Sequence, residues 1–199
     1  MKQHISLWFF VGFSTLGLNC FQRCTNIADW GLPMIVRVIF LDIDGVLNSN
    51  FWNDNHQTET SDGTLIDIEK VRLLSTLVKK TNAKIILHSG WRFWFDSALH
   101  PLRKEAENLE KLLRQENLMI EDVTPDHSTE EIKRNKKFSL VKASEILAWL
   151  DEHKEAEKWI VIDDLDLHNS EIEAHQIKTD PHIGLTMEDV RKAESMLLN

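Results

Sequence analysis

From residue 35 onward, apolar and polar positions alternate between two kinds of segment. Ile35 to Leu41 is a continuous apolar run broken only by Arg37 and rich in β-branched residues, the pattern of a strand covered on both faces. Asn48 to Leu65 is dominated by Asn, Asp, Ser, Thr and Gly and reads as loop. Ile66 to Lys80 carries Ile68, Val71, Leu74 and Val78 at helical spacing. Ala83 to His88 predicts a second buried strand. Leu99 to Glu116 predicts an amphipathic helix that tolerates Pro101 in its first turn. Leu118 to Val123 predicts a short strand, and Thr124 to Lys137, with Pro125 and a basic cluster, a loop. Ser139 is placed to cap a helix running to about His153, with Val141, Ile146, Trp149 and Leu150 on its apolar side. Trp159 to Asp163 and Ala174 to Thr179 complete the strands, and Thr186 caps a final helix to Leu198. Strand alternating with helix implies an α/β domain built on a parallel sheet.

Residues 1 to 33 stand outside this pattern. Lys2 precedes an apolar run from Ile5 to Leu18, interrupted by Ser14 and Thr15 and too short for a comfortable membrane span. It resembles a signal-peptide core without a small-x-small cleavage site. Three readings stay open: an upstream extension with the true start at Met34, an export or anchor signal, or an ordered helix. We therefore divide the chain into an N-terminal extension, 1 to 33, and one domain, 34 to 199, and expect a cytoplasmic location with export left open.

Composition narrows the function classes. The 199 residues are 42% hydrophobic and 28% charged, with a net charge of −9, so no general attraction to nucleic acid or anionic membrane is expected. A polyanionic substrate would need a local basic patch, for which Lys133 to Lys137 is the candidate. The two cysteines, Cys20 and Cys24, supply too few ligands for a zinc site, and the predicted domain has none.

The chemistry gathers where strands end. Asp42 and Asp44 leave the first strand two residues apart and so point the same way, and Gly45 then permits a sharp turn. Two carboxylates crowded there repel unless a divalent cation or a shared proton relieves them. Taken alone, the pair reads more readily as an ordinary strand-ending Asp-x-Asp-Gly turn. The apolar strand before it and Asn53 at loop position 12 argue against an EF-hand. After the second strand, Ser89 and Gly90 offer a hydroxyl and an open backbone N–H to an anion, and Arg92 a bidentate guanidinium. Lys142 sits in the first turn of a helix, where the dipole disfavours a cation unless it holds an anion. Asp163 and Asp164 end a further strand with two more carboxylates, hard oxygen ligands suited to Mg2+.

In this order, strand–Asp-x-Asp-Gly-Val-Leu-Asn, strand–Ser, helix-borne Lys and strand–Asp-Asp, the residues from about 35 to 198 resemble the haloacid dehalogenase-like (HAD) superfamily. The stretches Leu-His-Ser-Gly-Trp-Arg, Glu-Ile-Leu-Ala-Trp-Leu and Thr-Asp-Pro-His-Ile-Gly-Leu-Thr resemble its small capless members, including the HAD domain of multidomain RNA-repair proteins. The resemblance implies a three-layer Rossmann-like sheet with helices on both faces and no separate cap domain. It implies Mg2+ held by Asp42, Asp44 (through its backbone carbonyl), Asp163 and Asp164, with the direct ligand between Asp163 and Asp164 left open. Asp42 would be the nucleophile that forms an aspartyl-phosphate, and Asp44 the general acid and base. Ser89, Gly90 and Arg92 would bind phosphate, and Lys142, in competition with Lys136 and Lys137, would offset charge. The expected activity is a Mg2+-dependent phosphohydrolase acting on a nucleotide, a nucleic-acid end or another phosphate monoester. Trp52, Trp91, Trp94 and Phe95 are candidate stacking faces for a base. The rival reading is a catalytically weak HAD-like module that binds phosphate ligands or partners.

Overall fold

A computed structural model describes residues 35–48, 57–59, 65–135 and 137–199. The expectations for residues 1 to 33, Trp52 and Lys136 lie outside the described residues. Chain order runs β1 (Val36–Leu41), β2 (Gln57–Glu59), β3 (Leu65–Asp67), α1 (Ile68–Thr81), β4 (Lys84–Leu87), a 3-10 turn (Gly90–Trp94), α2 (Lys104–Gln115), β5 (Ile120–Val123), α3 (Glu130–Asn135), α4 (Ser139–Glu152), β6 (Ala156–Asp163), α5 (Ser170–Glu173), β7 (Gln176–Lys178) and α6 (Met187–Leu198).

Five strands form one parallel sheet in the order β5-β4-β1-β6-β7. The central strand explains why its sequence is apolar throughout. Ile39 and Leu41 face a core with Leu74, Leu77, Leu109 and Val190, from α1, α2 and α6. Val38 and Phe40 face the opposite core with Ile146, Trp149 and Ile172, from α4 and α5. Side chains alternate along a strand, so one strand fills two cores and the fold has three layers. The α/β Rossmann-like architecture expected from the sequence is the one observed.

From β1 the chain steps outward to β4 and β5, then returns to the other side of β1 for β6 and β7. This reversal of strand order puts a crevice at the carboxyl end of β1, where ligands bind in open α/β sheets. Backbone bonds stitch the strand ends together there: Asp42 N–H donates to Ile162 O (3.0 Å), His88 N–H to Leu41 O (2.8 Å), and Thr179 N–H to Asp163 O (3.1 Å).

Four local expectations are corrected. The 48–65 stretch is not all loop, because β2 pairs antiparallel with β3, and α1 begins at Ile68 with Asp67 as its cap. Helix α2 starts at Lys104 rather than Leu99. Asp96 Oδ1 accepts from Ala98 N (2.9 Å) and His100 N (2.8 Å), and Leu99 takes a left-handed φ of 61°, so the intervening chain is a side-chain-held turn. The 124–137 stretch contains α3, whose Ile132 N–H donates to Thr129 Oγ1 at 3.2 Å. Ser139 is the first residue of α4 and not its cap; Phe138 holds that position without a side-chain cap bond. Thr186 does cap α6, in a reciprocal box with Asp189. Among the described residues, no helix is long and apolar enough to cross a membrane.

Candidate active site

The site begins where β1 runs out. Asp42 is buried, and its Oδ1 accepts from Ile43 N at 2.8 Å. The chain then turns tightly, with Leu47 N–H donating to Ile43 O at 2.9 Å and Gly45 at φ 73°. A Cβ on Gly45 would lie 2.5 Å from Asp164 Cγ, so glycine is required both by its φ and by the approach of β6. Thr179 Oγ1 donates to Gly45 O at 2.8 Å and ties the turn to the end of β7. Asp44, carried by this turn, points to different partners from Asp42. Its Oδ1 accepts from Asn48 Nδ2 and its Oδ2 from Trp91 Nε1, both at 3.0 Å.

The end of β4 supplies the second wall. Ser89 is buried, and its Oγ caps the 3-10 turn by accepting from Trp91 N at 3.4 Å; Gly90, not Ser89, lines the crevice. Arg92 is also buried, and its cation is already engaged. Nη2 lies 2.8 Å from Glu145 Oε1, and Nη1 donates to Ser89 O at 3.2 Å.

The third contribution comes from α4. Lys142 and Glu145 stand three apart on one face of its first turns, which is why both reach the site. Lys142 Nζ donates to Asp42 Oδ2 (2.7 Å) and to Asp163 Oδ2 (2.6 Å), bridging the ends of β1 and β6. Asp163 is fully buried, and its other oxygen accepts from Leu165 N at 2.9 Å. Carboxylate oxygens of Asp42, Asp163 and Asp164 lie within 4.8 Å of one another. The Asp44 carboxylate is not part of that group.

These contacts enclose a cavity of about 320 Å3, with Asp42, Asp44, Asp164, Lys142 and the Arg92–Glu145 pair on its floor and walls and Phe138 and Leu165 completing its lining. With Asp163 beneath, five carboxylates face two cations. The imbalance shows in the proton affinities. Burial, then the Asp42 charge, push the Asp44 carboxyl up to about 6 against the Trp91 bond; the residue is open to solvent, which moderates the shift without changing its sign. Burial and the Asp42 charge likewise raise Asp163 and Asp164. Burial would lower Lys142, but the Asp42 and Asp163 charges outweigh it and hold the ammonium above its ordinary value. Burial, then the Lys142 and Arg92 charges, hold His88 well below its ordinary value, so it stays neutral.

The profile of a family described as the HAD domain in Swiss Army Knife RNA repair proteins matches residues 38–190. The chain belongs to that family. A search of curated proteins gave no match. Within this HAD domain, all of the expected site residues lie at the carboxyl edge of the sheet or on the face of α4 that meets it. Lys137 is exposed, whereas Lys142 touches two aspartates. Two of the stacking faces are corrected, because Trp91 and Phe95 are buried core residues; Trp94 is partly buried with Arg103 over its ring at 4.6 Å. In the basic cluster, Lys133 pairs with Asp126 at 3.2 Å. The sequence reading passed over Glu145, Trp91 as a partner of Asp44, His88, Phe138 and Leu165. Only Glu145 carried a signal, as a charge one helical turn from Lys142 on a face otherwise apolar.

Proposed function

We propose that this HAD domain is a Mg2+-dependent phosphohydrolase that works through an aspartyl-phosphate on Asp42. The observation that carries the reading is the division between two neighbouring aspartates. Asp42 lies in the acidic cluster with Lys142 at 2.7 Å, while Asp44 stands apart with its carboxyl pushed up to about 6. Carboxylates driven into different environments are the mark of separate nucleophile and acid–base roles.

The donor set fits a hard divalent cation. Three carboxylates converge within 4.8 Å, and the cavity is short of positive charge. A phosphate dianion would be repelled by such a cavity without a further cation. Asp42, Asp163 and Asp164 would hold the ion, with the Asp44 backbone carbonyl as a further ligand. When bound, Mg2+ supplies neutralisation of the phosphoryl oxygens against this acidic floor.

An oxygen of Asp42 would attack phosphorus, and the bond from phosphorus to the leaving oxygen would break as Asp44 donates its proton there. Asp44, now ionised, would take a proton from water attacking the phosphorus of the aspartyl-phosphate, which releases orthophosphate and restores both carboxyl groups. Lys142 would offset the charge gathering on Asp42 and the transferring group. Gly90 would offer its N–H to a phosphoryl oxygen, and Ser89, now seen capping the turn, would position that loop or turn its hydroxyl toward the phosphate. Arg92 would contribute through the part of its guanidinium that lines the cavity.

The family's association with RNA repair favours a phosphorylated nucleic-acid end as substrate, with nucleotides as smaller relatives of it. The test is release of orthophosphate from p-nitrophenyl phosphate, nucleotides and 3′- or 5′-phosphorylated oligonucleotides, with Mg2+ and with EDTA. Turnover should depend on Mg2+, and Asp42→Asn should lower it by on the order of 10^3-fold or more while the fold is retained. Full activity in Asp42→Asn would sink the mechanism, and no metal-dependent release from any ester would favour a phosphate-binding module.

A further inference from the structure

Among the described residues, three buried polar atoms around the site make no hydrogen bond, His88 Nε2, Arg92 Nε and Glu145 Oε2, and the first of them lies beside the acidic cluster. His88 is completely buried at the end of β4, and its Nε2 makes no hydrogen bond. Buried polar atoms left unpaired are uncommon, and each asks for a reason. The ring lies between two groups. Nδ1 is 3.4 Å from Thr124 Oγ1, a buried hydroxyl just beyond β5. Nε2 is 3.7 Å from Asp163 Oδ2. A lone pair on Nε2 would face the Asp163 carboxylate, which favours the tautomer with the proton on Nε2 and the Thr124 hydroxyl donating to Nδ1. The ring therefore aims an N–H at Asp163 from a distance about 0.7 Å beyond an ordinary hydrogen bond.

Lys142 holds the same Asp163 oxygen at 2.6 Å. One carboxylate oxygen thus has both an ammonium and an imidazole beside it, and the second is fixed by Leu165 N at 2.9 Å. A ligating carboxylate that must also accept from a lysine needs a neighbour to keep its orientation when that lysine turns toward an incoming anion.

Resting on the metal-dependent reading above, we propose that His88 is a positioning residue for the cation site: its Nε2–H, fixed by Thr124, steadies Asp163 and so sets the affinity of Asp42, Asp163 and Asp164 for a divalent cation. The inference concerns binding and is tested without turnover. Calorimetric titration of the full chain with Mg2+ and with Mn2+ compares wild type, His88→Leu, His88→Gln and Thr124→Val. His88→Leu keeps the bulk and loses the donor, and should weaken cation binding by about 10- to 100-fold, the range for lost partners of metal ligands. His88→Gln restores an N–H near the Nε2 position and should recover a large part of that loss. Thr124→Val keeps the ring and releases its tautomer, so it should weaken binding less than His88→Leu; it also provides the test if His88→Leu fails to fold. Unaltered cation affinity in folded His88→Leu, or in folded Thr124→Val where His88→Leu does not fold, would overturn the role of His88. So would equal weakening by Leu and Gln, since that would report packing alone. A wild-type chain that takes up neither ion would remove the metal reading itself, and this assignment with it.

Discussion

Asp44 is balanced between burial and the Asp42 charge on one side and an indole on the other. Trp91 Nε1 donates to Asp44 Oδ2 at 3.0 Å, and this bond favours the ionised carboxylate, while burial and the Asp42 charge favour the protonated form and prevail, at about 6. An acid with that value is half protonated near pH 6, so a step that needs its proton slows as pH rises through that point. Trp91→Phe removes the bond that favours ionisation, and Asp44 should then keep its proton to higher pH. The alkaline fall of kcat/KM for an alkyl phosphate, whose leaving oxygen needs protonation, should move upward in pH in the variant. A fall at the same or lower pH would show that the indole does not tune this group. The sequence displayed Asp44 and Trp91 but not their pairing. They are 47 positions apart and meet only because β1 and β4 are neighbours in the sheet. The strand-end aspartates, by contrast, were legible, because runs buried on both faces announce where each strand stops.

The elements converge on one short turn. Gly45 packs so closely on Asp164 that an added methyl would overlap the carboxyl carbon, and its φ of 73° already disfavours any side chain. Gly45→Ala should destabilise the domain by roughly 1–3 kcal/mol in urea unfolding and displace Asp164, weakening cation binding beyond the change in stability. Helix α4 makes a second connection. Glu145 Oε1 accepts from His127 N at 3.0 Å as well as pairing with Arg92, so it joins α4 to the 3-10 turn and to the segment after β5. Glu145→Ala would leave the Arg92 cation buried and unpaired, and should cost about 3–5 kcal/mol, against a much smaller loss if the pair were solvated. Element identity is largely readable from hydrophobic period, and so is the Thr186 cap of α6, while the starts of α2 and α4 are not. The start of α2 depends on Asp96 folding its own loop, and that of α4 on Phe138, a residue with no capping chemistry to read.

At the scale of the whole domain, the cavity stores electrostatic cost that a cation would relieve. Asp44, Asp163 and Asp164 are all raised, so the folded chain binds their protons more tightly than the unfolded chain does. Between the ordinary carboxyl value and about 6, the value reached by Asp44, stability therefore falls as pH rises on their account. His88 acts oppositely in part of the same window. It is held well below 6.5 in the fold, so its contribution rises as pH climbs toward its unfolded value. A single melting curve against pH would mix the two effects, and Asp164→Asn separates them because it leaves His88 in place. In EDTA, the Tm of the variant minus that of wild type should increase from pH 4.5 to 7, as wild type alone acquires the Asp164 charge, by on the order of 2 °C for this chain length. Saturating Mg2+ should reverse the sign, since the stabilisation from a bound ion grows with its affinity and the variant has lost a ligand. A difference that is flat with pH and indifferent to Mg2+ would mean that Asp164 is an ordinary polar residue at a strand end, and the acidic crevice would lose its claim to a cation.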